Sequence, residues 1–361
     1  MKKVLSILLL ISITLSLALS FASCKNGNGS TGGINKNEYK TQTKEISFVY
    51  FNTVSIISSY GAATSEEFNS YVKVADELLG KYHKLFDIYY EYSGVNNIRT
   101  INKNAGKSAV AVDTELIEFL EYCKELYTLT NQKTNIMLGS VLSIWHDHRE
   151  AADTNPTSAT VPSMALLTEA AKHTSIDSLV IDKQASTVYI SDPEASIDVG
   201  AIGKGYAAEK LYKKLVSLGA DCVALNVGGN LRTIGTKPDG ELWTTGITNP
   251  DKSSDNTIAC RVKMGDTSLV TSGDYERYYY VDGVKYHHII DPETLMPADY
   301  FASVSIFTKD SGLADALSTA LFCMSYEEGL ELVNNIGNIE VIWIYSDGTI
   351  KSTNGVQFVN K

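Results

Sequence analysis

The stretch Asp198–Leu211, DVGAIGKGYAAEKL, decides the fold class because it places three glycines and a lysine at the start of a predicted helix. Residues 203–208, GKGYAA, match the G-x-G-x-x-A fingerprint of a dinucleotide-binding βαβ unit, and Asp221 follows at about the required 20 residues. In that unit, however, the acidic residue ends the second strand, whereas Asp221 precedes the next predicted strand, 222–229. The stretch therefore argues against a doubly wound dinucleotide-binding fold.

A phosphate-binding P-loop is excluded at the same place. The motif G-x-x-x-x-G-K-[ST] would need glycine at position 198 and Ser or Thr at 205, where the chain has Asp198 and Gly205. What remains is a helix N-terminus with exposed backbone and one cation, Lys204, which suits a phosphate group. Close packing of a neighbouring helix explains the glycines equally well, so both interpretations stay open from this stretch alone.

The N-terminus predicts export and a lipid anchor. Lys2 and Lys3 precede an apolar run over residues 4–19, and small residues lead to Cys24, an order typical of an export signal. We expect a lipoprotein signal peptide over 1–23, a diacylated Cys24, a flexible tether over 24–44 and one domain over 45–361. The predicted location is the outer face of the cytoplasmic membrane. An ordinary cleaved signal with an incidental cysteine is the alternative.

Composition limits the partners. The 361 residues carry a formal net charge of -11 with no cluster of Lys and Arg, which excludes a nucleic-acid partner. The remaining cysteines form no CxxC pair, and three of the four lie in apolar runs, which favours buried thiols over a disulfide framework.

The periodicity after the tether predicts an α+β fold with mixed, largely antiparallel sheets and packed helices. Predicted helices cover 65–90, 113–131, 163–173, 205–218, 312–324 and 327–337. Predicted strands and hairpins cover 45–61, 179–201, 222–229, much of 230–290 and 339–353.

Three further segments could carry chemistry. The sequence NVGGN at 226–230 is typical of a hairpin turn, although paired glycines also permit a close backbone approach. In residues 271–297, one of the adjacent His287 and His288 should face inward, and Asp, Tyr and Arg nearby could orient a base. Asp315 and Thr319 share one face of an apolar helix, which suits either a hard cation such as Mg²⁺ or an N-terminal carboxylate bound by backbone N–H groups.

Each signal is weak alone, but the sequences of these segments and their order along the chain resemble those of the FAD:protein FMN transferases, the ApbE-type flavin transferases. The resemblance covers about residues 45–355. It rests on these segments, in this order along the chain: YFNTVSI, FDIYYEYSGVNNIRTIN, NIMLGSVLSIW, IDVGAIGKGYAAEKL, LNVGGNLRTIG, TSGDYERYY, HHIIDPETLMPA and DALSTAL.

The resemblance implies a reaction and its participants. A Thr or Ser hydroxyl of an acceptor protein attacks the FMN phosphorus of FAD, AMP leaves, and FMN stays attached as a phosphoester. The implied cofactor is Mg²⁺, the substrate is FAD, and the implied acceptors are flavoprotein subunits of membrane redox complexes. Hydrolysis of FAD to FMN and AMP is one alternative, and a non-catalytic flavin-binding lipoprotein is another.

The resemblance also implies site residues. His288 is the candidate proton acceptor, and Asp315 belongs to both the catalytic and the metal set. The implied metal ligands are Asp315, Thr319 and the backbone carbonyl of Ala201, with Ser318 close by. The implied FAD contacts are Asn52, Tyr89, Lys133, Thr134, Asn135, Asp198, Lys204 and Ile289, with the register of Tyr89 against Tyr90 left open.

Overall fold

The computed structural model describes residues 41–46, 50–61 and 63–359. The predicted signal segment, the predicted lipidation site Cys24 and most of the predicted tether lie outside these ranges. Within them, the longest apolar stretches of helix fall short of what a bilayer crossing requires.

Sixteen strands and eight α-helices occur along the described chain. The strands are β1 Thr41–Ile46, β2 Ser55–Tyr60, β3 Val110–Ala111, β4 Leu179–Asp182, β5 Thr187–Ile190, β6 Val223–Val227, β7 Asn230–Ile234, β8 Trp243–Thr248, β9 Ile258–Met264, β10 Ser268–Gly273, β11 Tyr278–Val281, β12 Val284–His287, β13 Ser303–Thr308, β14 Glu340–Ile344, β15 Ile350–Ser352 and β16 Gln357–Phe358. The helices are α1 Ser65–Phe86, α2 Ile98–Lys103, α3 Thr114–Leu129, α4 Gly139–Thr154, α5 Met164–Ala171, α6 Gly203–Ser217, α7 Ser311–Phe322 and α8 Tyr326–Ile336.

An eight-stranded antiparallel sheet forms the centre of the fold, in the order β1-β2-β6-β7-β10-β13-β14-β15. Strand β13 is buried along its whole length, and α7 packs across it and β10. Three smaller sheets, β3-β5-β4, β16-β9-β8 and the hairpin β11-β12, are also antiparallel. The predicted α+β class with largely antiparallel sheets is confirmed.

Helix α7 is surrounded by packed elements because its buried residues occur on almost every side. Ala314, Ala316, Leu317 and Ala320 are all fully buried, so neighbours contact this helix all round. Its N-terminus is capped by the Asp310 carboxylate, which accepts a hydrogen bond from the backbone N–H at position 313. Helix α6 packs against α7 and also against α1.

Several boundaries differ from the predictions. Helix α1 ends at Phe86 rather than near 90, because the Asp87 carboxylate accepts hydrogen bonds from the backbone N–H groups of Tyr89 and Tyr90, 2.7 and 2.9 Å away, and so forms a turn. Strand β1 begins at Thr41, so four residues of the predicted tether pair with β2. Helices α2 and α4 were not among the predicted helices.

The glycines of 226–230 form the hairpin turn that the sequence favoured. Gly228 and Gly229 have φ values of 57° and 94° and join β6 directly to β7, and two positive φ values in a two-residue loop are typical of tight hairpins. The four cysteines within the described part are unpaired, as expected, with three buried and Cys260 partly so.

Candidate active site

The structure shows that close packing of a neighbouring helix accounts for a glycine at the start of α6. A Cβ on Gly205 would lie 2.6 Å from the Cβ of Asp315 and would also collide with the backbone carbonyl of Ser311. A neighbouring helix, α7, therefore does approach this glycine. The same contact has a polar part, since the Gly205 N–H donates a 2.8 Å hydrogen bond to Oδ2 of Asp315.

This hydrogen bond leaves a backbone oxygen available beside the carboxylate. Because the Gly205 N–H points at Asp315, the carbonyl of Ala201 accepts no backbone hydrogen bond from within the described chain. Asp315 itself is buried, and burial raises the pKa of its carboxyl group while the charge of Lys204 opposes that rise. The ammonium of Lys204 lies 3.9 Å from Oδ2 of Asp315 and donates to the carbonyl of Gly200 at 3.4 Å.

The residues around Asp315 fit a magnesium ion. Thr319 is half-buried one helical turn after Asp315, and the buried Ser318 hydroxyl donates to the carbonyl of Asp315 at 2.8 Å and contacts the Ser272 hydroxyl. No cluster of three His, Cys, Asp or Glu side chains capable of holding a metal occurs in the described ranges. One carboxylate with hydroxyl and carbonyl oxygens matches a cation that retains waters and substrate phosphates as ligands.

The two adjacent histidines have different environments. His287 is buried at the end of β12; its Nε2 donates to the carbonyl of Ala298 at 2.7 Å and its Nδ1 accepts from the N–H of Ile289. His288 is half-buried, and its Nδ1 is inaccessible to solvent without a hydrogen-bond partner. His287 is therefore structural, whereas His288 keeps a ring nitrogen unused within the described structure.

The pKa of His288 is held well below its usual value, chiefly by burial and then by the charges of Arg277, His287, Arg149 and Lys204. His288 is therefore neutral at pH 7, the state that can accept a proton. Lys204 also acts on Asp315, so one cation lies near both residues.

Asp198 and Tyr89 lie in the same region. The carboxylate of Asp198 accepts a 2.8 Å hydrogen bond from the Gly200 N–H, and burial raises its pKa while Gly200, Arg277, His146 and Lys204 lower it. The ring of Tyr89 lies 5.4 Å from that of His146, and burial followed by the charge of Asp198 raises its pKa. Both tyrosines are exposed, Tyr89 at 51% and Tyr90 at 64%. These contacts favour Tyr89 over Tyr90 as the site residue.

The other predicted FAD contacts have side chains that are engaged elsewhere or exposed. Lys133 forms ion pairs with Asp291 at 3.0 Å and Glu293 at 3.1 Å. Ile289 is buried in the core, and its backbone N–H and carbonyl are both hydrogen-bonded. The Thr134 hydroxyl donates to the Ala316 carbonyl, the Asn135 amide donates to the Thr174 carbonyl, and Asn52 is exposed in a loop with a φ of 51°.

Sequence reasoning missed Arg149 and gave Arg277 no separate role. Arg149 is half-buried on α4, the helix that was not predicted, and its Nη2 donates to Nδ1 of His146 at 2.9 Å. The spacing Trp145, His146 and Arg149, with an apolar anchor followed by polar groups one turn apart, is the signal that could have indicated it.

Comparisons with known proteins agree with this structure. The model of the ApbE family matches residues 51–343. A FAD:protein FMN transferase of Treponema pallidum is 31% identical over 274 residues, covering 72% of this chain and 73% of that protein. One from Haemophilus influenzae is 26% identical and covers 97% of this chain and 94% of its own length.

A solved structure of the ApbE protein of Thermotoga maritima superposes with a TM-score of 0.74 at 27% identity, covering 87% of this chain and 97% of that one. The flavin transferase ApbE of Vibrio cholerae shares the fold, with a TM-score of 0.70. The chain therefore belongs to the ApbE family, and the family resemblance predicted from its motifs is confirmed.

Proposed function

We propose that this protein transfers the FMN moiety of FAD to a Thr or Ser hydroxyl of an acceptor redox protein and releases AMP. Membership in a family whose curated relatives are FAD:protein FMN transferases supports FMN transfer from FAD. The observation that carries the proposal for this chain is the arrangement around Lys204. The buried carboxylate of Asp315 lies 3.9 Å from its ammonium, and the same charge acts on the neutral His288.

The proposed step is a phosphoryl transfer. The acceptor hydroxyl oxygen forms a bond to the FMN phosphorus of FAD while the bond from that phosphorus to the bridging diphosphate oxygen breaks. The bridging oxygen leaves with AMP, and the hydroxyl proton passes to His288. This chemistry requires an oriented nucleophile and compensation of the diphosphate charge. The neutral imidazole of His288 can accept the proton of the nucleophile, and the ammonium of Lys204 can offset the diphosphate charge.

Asp315, Thr319 and the carbonyl of Ala201, with Ser318 nearby, would hold Mg²⁺. When bound there, the ion would neutralise charge on the diphosphate oxygens. The residues contribute independently of the ion as well: Gly205 fixes the Asp315 carboxylate through its N–H, and Lys204 provides a positive charge at the same oxygen.

We also propose that the enzyme works outside the cytoplasmic membrane, held there by a lipid on Cys24, with flavoprotein subunits of membrane redox complexes as acceptors. The support is the sequence of the N-terminus, with its two lysines, apolar run and Cys24 before a Gly- and Ser-rich segment. Labelling cells with a radioactive fatty acid should label the wild type and not the Cys24→Ala variant. Equal labelling of both would contradict the anchor.

The experiment for the activity uses purified protein with FAD, Mg²⁺ and a flavin-accepting partner domain. Intact-mass spectrometry should show the partner gaining one FMN phosphoester, and the gain should be absent when the accepting hydroxyl is replaced by alanine. Release of AMP and free FMN without a mass gain would establish hydrolysis instead. FAD bound but unchanged in the presence of Mg²⁺ would leave only a flavin-binding role.

A further inference from the structure

Two arginines near the candidate active site form no salt bridge in the described part of the chain, although the charges of Glu150 and Asp153 act on Arg149 and the charge of Arg277 acts on Asp198. Arg149 lies on α4, and Arg277 lies between β10 and β11. Within the described part of the chain, the arginine that forms ion pairs is Arg232, which pairs with Glu209 at 3.3 Å and Asp266 at 2.9 Å. Burial and then the charge of Arg277 lower the pKa of Arg149, so the two cations are close enough to repel each other. Partly buried like charges are costly unless an anion lies between them.

Arg149 is held in place rather than extended into solvent. Its Nη2 donates to Nδ1 of His146 at 2.9 Å, so that nitrogen carries no proton, and the His146 ring in turn packs 5.4 Å from the ring of Tyr89. The helix itself is anchored by Trp145, whose buried indole Nε1 donates to the carbonyl of Leu295 at 2.9 Å. A guanidinium fixed by a neighbouring side chain loses less conformational entropy when it binds a ligand.

The charges that surround the two arginines belong to the proposed FAD site. Arg277 acts on Asp198, Tyr89 and His288, and its backbone carbonyl accepts a 3.0 Å hydrogen bond from the His288 N–H. Arg149 acts on both Tyr89 and His288. The two arginines thus lie near both Tyr89 and the candidate proton acceptor His288, whose Nδ1 has no hydrogen-bond partner in the described structure.

We propose that Arg149, oriented by His146, binds phosphate oxygens of the flavin nucleotide, with Arg277 as a second cation. A planar guanidinium is well suited to bidentate contact with phosphate. Lys204 and Asp315 lie at the start of α6 and in α7, so Arg149 would supply charge from a separate element, α4. The proposal rests on the proposed function only in taking a flavin nucleotide as ligand.

The test compares ligands that share the flavin ring and differ in phosphate. Binding of FAD, FMN and riboflavin to the full-length protein is measured by flavin fluorescence at one Mg²⁺ concentration, without acceptor. In Arg149→Gln we expect the Kd for FAD and FMN to rise on the order of 10- to 100-fold, as for loss of a charge-assisted hydrogen bond. The Kd for riboflavin should change less than about twofold, because riboflavin lacks the phosphate.

Matched variants separate this role from a structural one. Arg261→Gln removes the same charge from an exposed position on β9 and should leave all three affinities unchanged. Arg149→Lys should restore part of the FAD affinity, and the wild-type Kd should rise more steeply with NaCl than that of Arg149→Gln. An equal loss of riboflavin and FAD affinity, or no loss of either, would overturn the proposal.

The outcome is distinguishable from that of the proposed function. If wild type binds FAD but never modifies the acceptor, the transferase proposal fails while the affinity ratios still decide the role of Arg149. If wild type modifies the acceptor and Arg149→Gln leaves the ratio of the Kd for FAD to the Kd for riboflavin unchanged, only the proposed phosphate contact is wrong.

Discussion

The site has two sides that are built differently. One side is the contact between α6 and α7, and the other is the region around α4. On the α6–α7 side, Asp315 is buried and bonded to a backbone N–H, and a glycine is needed for the helices to approach. On the α4 side, Arg149 is partly buried, Tyr89 is exposed, and Arg149 forms no salt bridge within the described chain. The first side offers oxygen atoms that suit a cation, whereas the second offers guanidinium groups that suit an anion.

The comparison predicts where substitutions reduce rate, where they reduce stability and where they reduce affinity. Changes at the functional groups of the α6–α7 side should reduce turnover, and changes in its packing should reduce stability. Changes on the α4 side should alter ligand affinity while the fold stays intact.

The largest effect is expected for Asp315→Asn. Asparagine keeps an acceptor for the Gly205 N–H but removes the charge that would hold Mg²⁺, so turnover should fall on the order of 1,000-fold. The affinity for FAD measured without Mg²⁺ should stay within a few-fold of wild type. The exposed Asp347→Asn is the matched control and should retain full activity. An unchanged rate for Asp315→Asn in Mg²⁺ would refute the metal assignment.

The next largest effect concerns His288. Replacement by glutamine should lower kcat on the order of 100- to 1,000-fold, because the proton acceptor is lost. The pKa of His288 is lowered in the folded protein. The midpoint of the acid limb in the pH profile of kcat/KM for wild type should therefore lie below pH 6.5. The partly exposed His173→Gln serves as control. An acid limb above 6.5, or one that persists unchanged in His288→Gln, would contradict the assignment.

The same lowered pKa affects stability in a defined direction. The folded state binds the proton of His288 more weakly than the unfolded chain does, so protonation favours unfolding. The stabilisation is fully present above the unfolded value of about 6.5 and is lost as the pH falls towards the lower folded pKa. Denaturant titrations of wild type and His288→Gln should therefore show that wild type loses more stability between pH 7 and pH 5.

A smaller effect, on stability rather than rate, is expected for Gly205→Ala. The added methyl group would collide with the backbone of α7 at Ser311, and such overpacking costs about 1–3 kcal/mol of the free energy of unfolding. Gly265→Ala is the control, because its nearest contact is an ordinary 3.4 Å and its φ is not positive. Equal midpoints for the two variants in denaturant would show that the α6–α7 contact adapts.

The fold class, helix α3 and the hairpin at Gly228 and Gly229 follow from local patterns, and the sequence predicted them. Helix α4 was missed, and with it Arg149. The meeting of Gly205 with Asp315 joins residues 110 positions apart, and no local periodicity encodes such a contact. It became an expectation only through the family resemblance, which linked Ala201 to Asp315.

The local sequence also could not assign different roles to neighbouring residues of the same type. His287 and His288 are adjacent, yet the carbonyl of Ala298, which folding brings to His287, makes one structural and leaves the other unused. Lys133 carried a predicted FAD contact, but its partner Asp291 is 158 residues away. Lys204 is better defined by the structure than by the sequence, because its ammonium lies beside Asp315.

The central claim is that Asp315 and His288 act on one FAD molecule to transfer FMN. The most direct measurement is the ratio of AMP released to acceptor modified, followed by chromatography and intact-mass spectrometry of the same reaction with Mg²⁺. The account predicts one AMP for each FMN attached, with both products lost together in Asp315→Asn and in His288→Gln. Release of AMP that continues without attachment of FMN, or attachment that persists in either variant, would contradict it.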